Sequence, residues 1–119
     1  DSFLLLESGR ADAFVMDGQL LAGNIATAKN PKDFRIVGEV LNVEPIACML
    51  RKDDPAFKTA VDDSIKGMIK SGDLAKLYDK WFMQPIPPAN TPVGLPLSEA
   101  TKAAWANPND KPAEEYAKK

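Results

Sequence analysis

Five of the chain's ten prolines, Pro85, Pro87, Pro88, Pro92 and Pro96, fall between Met83 and Pro96, and this cluster constrains the fold more than any other feature. Proline lacks the amide hydrogen that a helix interior or a central strand requires. The segment is therefore expected to be extended, so regular structure must come from the residues before it and the short stretch after it. The plainest role for such a run is a strap across the body of the protein. A docking ligand for a proline-reading domain is the alternative.

Upstream, the strongest helix signal is Asp53-Asp54-Pro55, an acidic N-cap followed by proline at the first helical position, where its missing N–H costs nothing. Phe57, Ala60, Val61, Ile65, Met68 and Ile69 then form one apolar stripe, with Asp62 and Lys66 opposite as an i,i+4 pair in the favourable acid-first order. Gly72 is expected to stop this helix. Asp73 restarts one whose stripe is Leu74, Leu77, Tyr78, Trp81 and Phe82, which reads as core packing rather than ligand stacking. After the prolines, Leu97-Ser98 starts a short helix carrying Ala103, Ala104 and Trp105, and Asn107-Pro108 closes it. Residues 111–119 are polar and expected to fray.

The first half alternates helices with short apolar runs, the pattern of an α/β chain. Residues 2–8 form an expected helix ended by Gly9, which can take the left-handed conformation. Residues 11–16 are a strand-length apolar run broken only by Asp12. A second helix follows from Gly18, with Leu20, Leu21, Ile25 and Ala28 on one face, fading at Lys29-Asn30-Pro31. Residues 34–37 and 45–50 are two further expected strands, and residues 39–44 a connector. Asp17 sits where the first strand ends and the next helix begins. Ligands of open α/β sheets bind beyond the carboxyl ends of the strands, so Asp17 is placed to take a ligand's ammonium; the same acid also suits a helix N-cap.

Fifteen basic residues against seventeen acidic ones, with no basic run, argue against nucleic acid as a partner. No apolar run approaches the ~20 residues of a membrane span. The chain has no His, which removes Ser/His and Cys/His pairs, an imidazole base and His-based metal sites, so no metal or cofactor is expected and enzyme readings start at a disadvantage. Cys48 is the lone cysteine; it reads as a buried small apolar residue and says nothing of the redox compartment. The chain opens at Asp1-Ser2 without an initiator Met or a charged-then-apolar leader and runs straight into Phe3-Leu4-Leu5-Leu6, which suggests a fragment or a processed product.

Several of these stretches carry a family likeness: Leu6-Glu7-Ser8-Gly9-Arg10-Ala11, Phe14, Met16-Asp17, Leu20-Leu21-Ala22-Gly23, Cys48-Met49-Leu50-Arg51-Lys52-Asp53-Asp54-Pro55, and Lys80-Trp81-Phe82 through Pro85-Ile86-Pro87-Pro88. Together they resemble the carboxyl-terminal part of a periplasmic amino-acid-binding protein of an ABC importer, in the glutamate/aspartate-binding branch. The resemblance implies part of a two-lobed α/β fold: residues 1–41 end the second lobe, residues 42–47 cross the hinge, residues 48–88 return to the first lobe, and residues 89–119 are a proline-rich extended segment with a short helix. It implies a non-enzymatic receptor that takes up a polar, acidic amino acid and delivers it to a permease in the inner membrane. The missing amino-terminal part, or a second copy of the chain, would cover the apolar faces. Asp17 matches the family's carboxylate for the ligand's α-ammonium, although many relatives follow that acid with another and Gly18 stands here. Arg10 reads as a solvated or lobe-bracing cation rather than a ligand clamp. The alternative on the same scaffold is a periplasmic enzyme, dehydratase-like or the regulatory domain of a lytic enzyme.

Overall fold

The computed structural model describes residues 2–116. Among them are five α-helices: α1 (Ser2–Glu7), α2 (Gly18–Thr27), α3 (Pro55–Ser71), α4 (Asp73–Tyr78) and α5 (Glu99–Ala106). Short 3₁₀ turns stand at Pro31–Asp33 and Ala113–Glu115, and α4 runs on into a wider π turn over Asp79–Met83. The helices begin and end where local chemistry places them. Gly9 and Gly72 take positive φ of 68° and 80° behind α1 and α3, a conformation that side chains with a Cβ resist. Pro55 opens α3 beneath the Asp54 cap.

The expected strands are the main correction. Residues 11–16, 34–37 and 45–50 form no strand, and among the described residues the single β contact is an isolated antiparallel bridge between Ile86 and Thr91. A helix satisfies its amides from within, four residues away, whereas a strand needs a neighbour to hydrogen-bond to. No described residue supplies that neighbour, so the helical half of the expected α/β architecture is present without the sheet half.

The described residues group into two compact units. The first comprises the chain up to Val37 with Leu77–Pro96. In it, α1 carries Phe3, whose ring meets Phe14 edge-on at 6.2 Å and Phe34 at 5.2 Å. Glu7 Oε1 accepts a hydrogen bond from Lys29 N at 3.3 Å, tying α1 to the end of α2. Ala22 on α2 is the only buried residue among those described, at 8% exposure. Leu21, Ile25 and Ala28 of the expected α2 face are half-buried, but Leu20 is exposed.

The proline segment does act as a strap within this unit, though it is not simply extended. It turns tightly between Ile86 and Thr91, with Asn90 at φ 53° and its N–H donating to Ile86 O at 2.9 Å. It then fastens through Gly94 N to Phe82 O (2.8 Å) and through the Tyr78 hydroxyl, which donates to Leu95 O (3.0 Å). Tyr78 and Phe82 stack at 4.4 Å, so these two of the five stripe residues pack as expected. Trp81 does not enter a core: it is exposed, with Lys80 Nζ 5.2 Å from its ring centre.

The second unit comprises Gly38–Lys76 and the chain from Leu97. Its backbone is α3, where Val61, Met68 and Ile69 are half-buried while Phe57 and Ile65 are exposed. Asp62 pairs with Lys58 (2.6 Å) rather than with Lys66, because Lys58 gathers two carboxylates, Asp62 and Asp110 (3.2 Å), and thereby fastens the residues after α5 to α3. Those residues are less frayed than expected. Tyr116 donates to Asn109 Oδ1 at 2.7 Å, and Lys111 pairs with Glu115 at 3.3 Å; the fraying expected at residues 117–119 lies outside the described residues.

Candidate functional site

Asp17 occupies the N-cap position of α2, with φ −56° and ψ 138°. Its carbonyl oxygen accepts the helix's first hydrogen bond, from Leu21 N at 2.9 Å, so the backbone behaves as a cap's backbone does. The side chain does not, because it makes no capping hydrogen bond. Two other N-caps show the contrast: Asp54 accepts from Phe57 N at 3.0 Å, and Ser98 from Thr101 N at 3.1 Å. The Asp17 carboxylate is also exposed and stands at the positive end of a ten-residue helix, where negative charge is favoured.

An ionised carboxylate only accepts hydrogen bonds and has room for several, while a primary ammonium carries three donors and no acceptor. Their charge-assisted bonds are about twice as strong as neutral ones. Asp17 therefore has the geometry and the unspent acceptors to receive an ammonium. A cavity of about 220 Å³, open to solvent, lies elsewhere, between α1 and the turn after α2, lined by Leu4, Glu7, Ser8, Lys29, Asn30, Asp33 and Phe34.

The other residues singled out in the sequence fall outside this position. Arg10 is exposed beyond the end of α1, where its N–H donates to Leu5 O at 2.8 Å. Cys48 was expected to be buried and is exposed, because it lies in the unpaired run before α3 with no neighbouring strand to cover it. Among the described residues no group of three or more Cys, Asp or Glu side chains is arranged to hold a metal ion, and no helix is long and apolar enough to cross a membrane. Sequence reasoning missed the Phe3–Phe14–Phe34 cluster. Its rings come from three elements far apart in the chain, and no local spacing links them.

Residues 5–84 match the bacterial extracellular solute-binding proteins, family 3. The chain belongs to that family. The match takes in Asp17, the unpaired runs, α3 and α4, and stops at the edge of the proline cluster. The chain is 52% identical over 111 residues to the glutamate/aspartate import solute-binding protein of Escherichia coli, covering 93% of this chain and 37% of that protein. It is 49% identical over 115 residues to the L-glutamate/L-aspartate-binding protein of Pseudomonas aeruginosa, covering 97% and 38%. Over 84 residues it is 27% identical to an ABC transporter glutamine-binding protein of Bacillus subtilis, covering 71% and 30%. The resemblance carried by the motifs is thus borne out at the level of the family, whose fold is two-lobed. The chain spans less than two fifths of the length of these relatives.

Proposed function

We propose that this chain is the carboxyl-terminal part of an extracytoplasmic receptor that captures glutamate or aspartate in the periplasm and delivers it to an ABC permease in the inner membrane. The observation that carries this reading is the Asp17 carboxylate, held at the start of α2 with its hydrogen-bonding capacity unspent. Both relatives near half identity are named for binding these two amino acids, and the run Met16-Asp17 lies inside the matched region. In this reading Asp17 takes the α-ammonium. Groups for the ligand's carboxylates come from the part of the protein outside these 119 residues.

The lobes follow the same logic. Residues 1–41 end the second lobe, residues 42–47 cross the hinge, residues 48–88 return to the first lobe, and residues 89–119 are a proline-rich extended segment with a short helix. Exposed apolar side chains along the unpaired runs support the need for a covering partner: Val15 is 72% exposed, Leu41 79%, Ile46 96% and Met49 98%. Apolar patches of this kind mark a missing interface. The upstream part of the same protein supplies the neighbouring strands, and a second copy of the chain is the alternative occupant. Ligand contacts to both lobes then shift the population from open to closed, with no bond made or broken.

Calorimetric titration of the full-length protein with L-glutamate and L-aspartate, followed by recovery of the ligand, tests this reading. Saturable binding of either amino acid, recovered unchanged, is the expected result. Absence of binding, or conversion of the ligand to a product, would contradict it.

A further inference from the structure

We infer that Phe14 is a positioning residue for Asp17, acting through its ring contact with Phe3, which is braced in turn by Phe34. The inference rests on the ammonium-binding role proposed for Asp17. Of residues 12–17, Phe14 alone is half-buried; its neighbours on both sides are exposed. Among the described residues two fixtures flank Asp17. Behind Asp17 is the first turn of α2, through Leu21 N to Asp17 O at 2.9 Å. Ahead of it is the Phe14 ring, 6.2 Å from Phe3 at 61°, an edge-to-face geometry that aromatic pairs favour. Phe3 then meets Phe34 at 5.2 Å, which fixes the middle ring from its other side.

Only Val15 and Met16 separate Phe14 from Asp17, at most about 10 Å of chain, so the position of the ring limits where the carboxylate can sit. A binding group has to be held within about 0.5 Å of its productive place to keep its full effect. An unanchored Asp17 would still meet an ammonium, but would first have to be ordered at a cost in affinity. The cluster thus joins α1, the run carrying Asp17 and the run after α2 into one support.

A double-mutant cycle in the full-length protein separates this role from simple packing. L-Glutamate affinity and the ligand-free melting temperature are measured for wild type, Phe14→Leu, Asp17→Asn and the double variant. Coupled residues give non-additive effects, so Phe14→Leu is expected to weaken binding about fivefold beside Asp17 and to add nothing beside Asn. Phe14→Tyr, which keeps the ring, is expected to hold affinity within about twofold, the additivity error of such cycles. If Phe14→Leu does not fold, Phe14→Met, similar in volume but without the ring, takes its place with the same expectations.

Equal losses from the Phe14 change in both backgrounds would reduce Phe14 to a packing residue and overturn the inference, while leaving the role of Asp17 intact. A loss in Phe14→Tyr as large as in Phe14→Leu would also overturn it. Unchanged affinity in Asp17→Asn would remove the ammonium role itself and the positioning role with it.

Discussion

Residues 45–50 and helix α3 are near neighbours in the chain, and both carry strong local signals, but they meet different fates. The α3 signals are self-sufficient. Asp54 caps Phe57 N, Pro55 fills the first position, and Gly72 closes the last turn with a left-handed residue whose N–H donates to Ile69 O, so the caps at both ends come from within a few residues. The run Pro45-Ile46-Ala47-Cys48-Met49-Leu50 is as apolar as a buried strand, yet Ile46 and Met49 stand almost fully in solvent. Its amides and its side chains both need another segment of chain. What differs between the two regions is where their partners lie, within one turn for the helix and in a separate strand for the run.

The comparison breaks or holds first on hydrogen exchange, where the largest effect is expected. In the isolated 119-residue chain, amides of residues 12–16, 35–37 and 46–50 should exchange at close to unfolded rates, while the interior of α3 exchanges more slowly. In the full-length protein the same runs should slow by about three orders of magnitude or more, the range that separates frayed from core segments. Continued fast exchange there would mean that these runs never become strands.

A second test sharpens the contrast between two caps of the same residue type. Asp54→Ala in the full-length protein should cost about 1 kcal/mol, the ordinary value of a lost N-cap. Asp17→Ala should change ligand-free stability by less than about 0.5 kcal/mol, because its side chain caps nothing. Urea unfolding of both variants checks the pair. Equal losses would mean that Asp17 serves its helix as Asp54 does.

These caps show how far the sequence was legible. The α3 boundaries, the Gly9 and Gly72 stops, the Ser98 start of α5 and the position of Asp17 at the head of α2 all follow from chemistry within four residues, and all were readable. Asp62 was assigned to Lys66 in the acid-first order rather than to Lys58, and the second carboxylate of Lys58, Asp110, is more than fifty residues away, where only the folded chain brings it near. Phe3, Phe14 and Phe34 escaped notice for the same reason. Cys48 was assigned burial and the three apolar runs were assigned to strands, both of which require partners not found among the described residues. Motif likeness reached the family where periodicity could not, since it draws on Asp17 and the stretches around it rather than on any pairing.

The smallest expected effect concerns the link from α3 to the residues after α5. Lys58 holds Asp110 below the ordinary carboxylate range, and the hydrogen bonds that Lys58 donates to Asp62 and then to Asp110 hold Lys58 above the ordinary lysine range. A depressed acid contributes above its unfolded pKa and loses that contribution as pH falls through the depressed value. A raised base contributes below its unfolded pKa and loses that contribution as pH rises through the raised value. The link should therefore be intact from about pH 4 to about pH 10 and weaken outside that window. Both groups are exposed, so the effect is local. Carboxyl chemical shifts of Asp110 across a pH titration should give a midpoint that Lys58→Met moves upward; an unmoved midpoint would remove the link.

The most direct measurement of the central claim is the affinity of full-length Asp17→Asn for L-glutamate, set beside its ligand-free melt. Asn and Asp cap helices about equally well, so the fold should be indifferent to the change while the charge proposed to receive the ammonium is lost. Hydrogen bonds to charged groups contribute about 1.5–3 kcal/mol, which predicts an affinity loss of roughly ten- to a hundredfold with an unchanged melting temperature. Unchanged affinity, or a melting temperature that falls with the charge, would contradict the account and return Asp17 to a structural role.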